Sequence, residues 1–276
     1  MNISSLMYSK ALTKYPEKDN TEFYEILNAY NIQNLRNIFS KRVFSKRDKL
    51  IIACVLSAIV YYFDKKYKDI LKYLEIPCEN YKIYDYDGIV FGIFSVGYIK
   101  FLAIKGTSTL KDFYTDINIT KSDENSDIKG KVHSGFYNLL FEKCFAIKEK
   151  SRCALIVDVI KQELKGNDKL ILTGHSLGAA LSTILLAHIE GIIGNTIELI
   201  NFGSPRVGDS EFCKSIKSSI TRVVNDDDIV TKLPLPFGFR HVGDSYVIGK
   251  RGKCQIEPFS IREHLIKNYF DSIMET

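Results

Sequence analysis

Lys169-Leu170-Ile171-Leu172-Thr173-Gly174-His175-Ser176-Leu177-Gly178-Ala179-Ala180-Leu181-Ser182-Thr183 is the stretch that decides the fold. A short apolar run with strand character meets Gly174-His175-Ser176-Leu177-Gly178. The chain then passes, with no linker, into a run of small and apolar residues with helical character. Strand, GxSxG, helix is the setting of a nucleophile elbow. Gly174 and Gly178 leave room where strand and helix approach closely. Ser176 is expected in a strained turn conformation that holds its hydroxyl in the open. Backbone N–H groups at the start of the following helix can stabilise negative charge there.

Outward from the elbow the pattern repeats. Ile197 to Phe202 reads as a strand, Ser210 to Ser218 as a short helix, Ile220 to Val224 as a strand and Tyr246 to Ile248 as a late strand. Upstream, Gly135 to Leu164 reads as two helices separated near Ser151. Gly88 to Gly106 reads as a hairpin, Ile89 to Phe94 turning at Ser95 to Gly97 into Tyr98 to Ile104. Residues 120 to 130 are polar and read as a surface loop. Residues 1 to about 80 look helical, with Glu22 to Phe39 amphipathic and Leu50 to Tyr62 apolar nearly all round. This alternation implies a mostly parallel sheet flanked by helices, with 276 residues forming one domain whose N-terminal part is residues 1–80.

Composition narrows the partners. The formal charge of +5 is spread along the chain, and its densest cluster, Lys41 to Arg47, reads as a solvated helix end or loop rather than a nucleic-acid patch. A mildly positive surface is compatible with anionic lipid. The six cysteines, Cys54, Cys78, Cys144, Cys153, Cys213 and Cys254, lack metal-ligand spacing, so no metal or other cofactor is expected. The start of the chain shows no basic segment leading into an apolar core, which predicts no secretory signal and a cytoplasmic protein, with secretion left open. Leu50 to Phe63 is too short to span a bilayer, which takes about 20 residues.

A serine hydroxyl is a poor nucleophile at neutral pH and needs a positioned base, itself oriented by an acid. After an elbow the chain order is serine, acid, histidine. Only His188, His241 and His264 follow Ser176. His188 lies twelve residues along the elbow helix, roughly 18 Å up its axis, too far to serve. His264, late in the chain, is favoured over His241, which stands just before a strand. The acid should leave the end of a parallel strand. Val223-Val224-Asn225 runs into Asp226-Asp227-Asp228-Ile229-Val230. Three adjacent carboxylates repel one another, so Asp228, beside an apolar pair, is the one to bury, while Asp226 and Asp227 face water. An oxyanion needs two donors. The Leu177 N–H is one, and Thr107, after Lys105-Gly106, offers the other.

In order, Ile104-Lys105-Gly106-Thr107, Val132-His133-Ser134-Gly135-Phe136, Thr173-Gly174-His175-Ser176-Leu177-Gly178, Phe202-Gly203-Ser204-Pro205-Arg206-Val207-Gly208, Val224-Asn225 with Asp228-Ile229-Val230, Leu233-Pro234 and His264 make a series. From about residue 85 onward this series resembles the class 3 lipases, the fungal triacylglycerol-lipase-like branch of the α/β-hydrolases. The resemblance implies that fold, Ser176 as nucleophile, Asp228 as acid, His264 as base, and the Thr107 and Leu177 amides as oxyanion hole. It implies a lid over Ser108 to Ile119, with Leu110, Phe113, Tyr114 and Ile117 as its apolar residues, and transient contact with a lipid–water interface. It implies hydrolysis of lipid esters such as acylglycerols. Phospholipase A1 or short-chain esterase activity, lipid acyl transfer and a non-catalytic lipid-binding role are the competing readings. The chain departs from many fungal relatives in having no tryptophan for a lid. The oligomeric state is not legible.

Overall fold

The computed structural model describes residues 32–63, 67–107, 128–145, 150–225, 228–249 and 262–275. Seven strands form one sheet in sequence order: β1 Tyr81–Tyr86, β2 Ile89–Val96, β3 Ile99–Ile104, β4 Lys169–His175, β5 Ile197–Phe202, β6 Ser219–Asn225 and β7 Asp244–Ile248. The first two pairings are antiparallel and the other four parallel. The expected alternation therefore holds, with two corrections. The hairpin strands are longer than their sequence suggests. β2 runs through Ser95 to Val96, and the chain reverses over Gly97 and Tyr98 alone, because Gly97 takes a positive φ of 59° that closes a two-residue turn. β1 adds a third antiparallel strand, built from Tyr81, Ile83, Tyr84 and Tyr86 with charged residues between them, which the helical reading of residues 1–80 stopped short of.

Residues alternate between the two faces, as the pleat requires. Phe101 and Ala103 of β3, Ile171 of β4, and Ile200 and Phe202 of β5 face one core. Leu102 and Ile104, Leu170 and Leu172, and Ile197 and Leu199 face the other. The first face is covered by a helix over Lys46–Ile59 and by the C-terminal helix Ile266–Glu275. The second is covered by helices over Ser134–Phe141, Arg152–Glu163 and Leu177–Ile189.

The Lys46–Ile59 helix begins four residues earlier than its apolar run. Ser45 accepts the Asp48 N–H, and Asp48 accepts the Ser45 N–H, a reciprocal capping box. Lys41 pairs with Asp48 at 2.6 Å, and Arg47 donates to Ile273 O and Met274 O. Its apolar character all round is explained by burial: every residue from Leu50 to Ile59 is buried between the sheet and the neighbouring helices. Inside that packing Ser57 Oγ meets Thr173 Oγ1 at 2.9 Å, which satisfies two buried hydroxyls. The upstream part of the predicted Glu22 to Phe39 helix lies outside the described residues, and Ile32–Phe39 is helical. Of the two helices expected over Gly135 to Leu164, the first ends at Phe141, well short of Ser151, and Ser151 caps the second through the Ala154 N–H. The five described cysteines are free. No helix among the described residues is long and apolar enough to cross a membrane.

One consequence of this topology positions the site. β3, β4, β5 and β6 are mutually parallel, so their C-terminal ends lie along one edge. That edge receives Gly106-Thr107, Ser176, Gly203 and Asp228 in succession.

Candidate active site

Ser176 follows β4 and caps the helix Leu177–Ile189 with φ 59° and ψ −124°. A non-glycine residue in that region is strained, by about 1–3 kcal/mol. The strain is held from both sides. The Ser176 N–H donates to Phe202 O at 3.0 Å, and its carbonyl accepts from the Ala179 and Ala180 N–H groups. The flanking glycines are required by contact. A Cβ on Gly174 would stand 2.4 Å from the Gly178 backbone, and one on Gly178 would stand 2.1 Å from Ile104 O. Leu177 is the first residue of the helix, so its N–H has no intrahelical acceptor and sits at the positive end of the dipole. Thr107 follows β3 on the same edge, and Gly106 before it is packed so closely that a Cβ would meet Tyr61 Oη at 2.1 Å.

Asp228 and His264 come together across 36 residues, with His264 Nδ1 2.8 Å from Asp228 Oδ2. Both are buried. Tyr269 O–H donates to the same oxygen at 2.5 Å, and the Val230 N–H donates to Oδ1 at 2.8 Å. Burial by itself would raise the Asp228 pKa. The His264 imidazole beside it, with the hydrogen bonds from His264, Tyr269 and Val230, outweighs burial and holds the carboxyl below its ordinary value. The Tyr269 phenol is pushed far up, by burial first and by the Asp228 charge second, so it stays a donor. Because the carboxylate accepts from Nδ1–H, the neutral ring leaves Nε2 as the basic nitrogen. Nε2 of His264 and Oγ of Ser176 are both buried and make no hydrogen bond among the described residues. The imidazole stacks obliquely on that of His175, ring centres 4.5 Å apart, and His175 immediately precedes Ser176. A hydroxyl and a basic nitrogen left unpaired at one sheet edge are what a serine–histidine couple needs before substrate arrives, when such bonds are often open.

The structure thus joins Asp228 to His264, sets both on the edge that carries Ser176, and places Leu177 and Thr107 beside that edge. The other two histidines that follow Ser176 are engaged elsewhere. His241 holds Thr231 O at 2.8 Å, and burial with neighbouring cations, Arg222 foremost, pushes its pKa down to about 3. His188 packs edge-on against Phe141. Leu110, Phe113, Tyr114 and Ile117, together with Asp226 and Asp227, lie outside the described residues.

Three further participants are revealed by the fold, two of them without a sequence signal of their own. Gly203 has φ 59°, and a Cβ there would come within 2.9 Å of both Asp228 Oδ2 and the His264 ring. Its glycine, opening Gly203-Ser204-Pro205-Arg206, was a visible hint. Tyr269 and Tyr61 reach the site from the C-terminal helix and from the 3₁₀ turn Val60–Tyr62, at sequence distances where no local pattern marks them. No cluster of His, Cys, Asp and Glu that could hold a metal occurs among the described residues.

Comparison with known proteins agrees with this geometry. Residues 101–238 match the family model described as Lipase (class 3). A lipase of Rhizomucor miehei is 31% identical over 156 residues, 54% of this chain and 41% of that protein. A chloroplastic phospholipase A(1) DAD1 of Arabidopsis thaliana is 26% identical over 156 residues, 48% of this chain and 33% of that protein. The chain therefore spans about two fifths or less of the length of these relatives. Among solved structures, a triacylglycerol lipase described as having a serine protease triad for its catalytic centre superposes with a TM-score of 0.57. It is 25% identical and covers 76% of this chain and 83% of that one. The architecture is that of the α/β-hydrolases.

Proposed function

The chain belongs to the class 3 lipase family, and from that premise we propose that it is a serine hydrolase that cleaves carboxylic esters of lipids, foremost acylglycerols. The observation that carries this reading is the strained Ser176 at the sheet edge beside a buried Asp228–His264 pair, with Ser176 Oγ and His264 Nε2 both without a partner among the described residues.

In the reaction, Ser176 Oγ attacks the ester carbonyl carbon while His264 Nε2 takes the hydroxyl proton. The carbonyl oxygen becomes an oxyanion, held by the Leu177 and Thr107 N–H groups. Asp228 stays ionised and stabilises the imidazolium. Its low pKa keeps it from taking the proton itself. As the tetrahedral species collapses, the C–O bond to the alcohol breaks and His264 returns the proton to the leaving oxygen. Water then attacks the acyl-enzyme, giving its proton to Nε2. Collapse of the second tetrahedral species releases the acid and restores the Ser176 hydroxyl. None of these steps uses a cofactor.

Contact with a lipid–water interface is supported by the loop that leaves the acid. Phe237 is 78% exposed and Leu235 42%, with exposed Lys232 and Arg240 at either end of the segment. Phospholipase A1 activity is the second reading, favoured by the similarity to the plant enzyme and by those flanking cations. A panel of emulsified triglyceride, monoglyceride, phospholipid vesicles and short soluble esters separates the readings. The proposal expects the fastest turnover on acylglycerol and a loss of about a millionfold in Ser176→Ala. Retained turnover in that variant overturns it, and faster release of fatty acid from phospholipid moves the assignment to phospholipase A1.

A further inference from the structure

We infer that Tyr61 and His175 form a hydrogen-bonded strut that positions the base His264 and the Gly106–Thr107 oxyanion loop relative to each other. This inference rests on the hydrolase reading above.

His264 closes the short 3₁₀ turn Arg262–His264. Its ring is fixed at one end by Asp228, but the backbone that carries the ring must be fixed too. Two side chains do this. Asn225 Nδ2 donates to Glu263 O at 3.1 Å, and His175 Nε2 lies 2.6 Å from His264 O. A carbonyl oxygen only accepts, so the His175 proton sits on Nε2. Burial, with the adjacent His264 as the second cause, pushes the His175 pKa down to about 3, so the ring is neutral and has no second proton. Nδ1 is then an acceptor, and the group facing it is Tyr61 Oη at 3.0 Å, which must donate. The Tyr61 hydroxyl is packed directly against Gly106, which has no room for a side chain between them. Gly106 rests on the Tyr61 oxygen by contact, and the two hydrogen bonds each have one donor and one acceptor: Tyr61 O–H to His175 Nδ1, and His175 Nε2–H to the carbonyl of His264.

The strut ties together three places separated in sequence: the loop after β3, the residue before the nucleophile, and the turn bearing the base. Contact geometry shows how firmly the loop is seated on it. A Cβ on Gly106 would lie 2.1 Å from Tyr61 Oη and 2.5 Å from His175 O. Tyr61 comes from outside the family-matched segment 101–238, at the end of the long buried helix, so the N-terminal part of the chain contributes directly to the order of the site. His175 and Tyr61 are positioning residues: they touch the machinery and act through it. Catalytic geometry is sensitive at this scale, since a displacement of about 1 Å lowers rate about a hundredfold.

The test compares His175→Phe, His175→Gln and Tyr61→Phe with the wild-type chain, by kcat and KM on one ester and by rate of labelling with a fluorophosphonate. His175→Phe keeps a ring and removes both hydrogen bonds. It is expected to lower kcat by about 30- to 100-fold with KM within about threefold. His175→Gln restores an N–H for the carbonyl of His264 and should recover about tenfold of that loss. Tyr61→Phe leaves His175 in place and should lower kcat by about three- to tenfold. Proton NMR provides a readout independent of turnover. The low-field resonance of the proton between His264 and Asp228 should shift in His175→Phe and stay in Ser176→Ala. A folded His175→Phe with wild-type kcat and an unmoved resonance overturns the strut, as does a kcat loss that Gln does not relieve. If His175→Phe does not fold, Tyr61→Phe decides by the same kcat criterion. Failure of the wild-type chain to label at Ser176 sinks the hydrolase reading instead, whereas equal labelling rates in wild type and His175→Phe sink only the strut.

Discussion

Ser176 and the Asp228–His264 pair are placed by opposite means. Ser176 owes its geometry to its immediate neighbours. Two glycines permit the close crossing of β4 and the following helix, and a positive φ sets Ser176 in the turn between them. The acid and base owe theirs to distant partners. Asp228 is held by His264, 36 residues away, and by Tyr269, 41 away, and the His264 backbone is held by His175, 89 away. A local device can be written into five residues and read there. A long-range one exists only after the sheet has brought its strand ends together.

That difference gives different failure modes. After Ser176→Ala, the largest expected effect is at the acid. Asp228→Asn keeps size and removes the charge that fixes the His264 tautomer, so kcat should fall by about ten-thousandfold with little change in fold. Far-ultraviolet circular dichroism beside a turnover assay checks it, and a loss under about tenfold would show that Asp228 is not the acid. The elbow should break sterically instead. Gly178→Ala drives a methyl toward Ile104 O, backbone that cannot rotate away. It should destabilise by about 1–3 kcal/mol and, by shifting Leu177 and Thr107 apart, lower kcat about a hundredfold. Thermal unfolding and kinetics together report this. A stable and fully active Gly178→Ala chain would remove the reason given for the glycine.

The smallest expected effect concerns pH and stability. Burial pushes the pKa of His133 down to about 4, and His175 and His241 down to about 3, from an unfolded value of about 6.5. Between those limits the unfolded chain binds more protons than the folded one. Stability is therefore whole above about pH 6.5 and declines as pH falls toward 4. Asp228 adds to this only lower down. Its folded pKa is depressed, so its contribution is present above an unfolded value of about 3.9 and is lost as pH falls through the folded one. Urea unfolding at pH 6.5, 5.5 and 4.5 should show the decline. His133→Phe, at a site where neither ring nitrogen has a partner among the described residues, should flatten it by roughly one proton's worth. An identical slope in that variant would mean His133 is not among the groups responsible.

The elbow, the parallel run of β3 to β6 and the burial of Asp228 were legible because each rests on local pattern: glycine spacing, alternation of strand and helix, and a carboxylate set against an apolar pair. Asp228 is indeed fully buried. β1 leaves little trace in the sequence because its alternation is aromatic and polar on a half-exposed edge, which weakens the contrast that marks a strand. The hairpin turn is narrower than its sequence suggests because Ser95 resembles a turn residue, while Gly97 alone supplies the positive φ.

What the sequence by itself determined is the list of chemical parts and the order in which a sheet would present them. Short-range sterics and hydrophobic period act between residues a few positions apart, so they survive in one-dimensional text. Only the tertiary structure decided that Tyr269 completes the shell of Asp228, that Gly203 must lack a side chain, and that Tyr61 and His175 stand between Gly106 and the His264 carbonyl. Those outcomes depend on hydrogen-bond direction and on distances of about 3 Å between groups far apart along the chain, and such distances are set by how helices seat on a sheet.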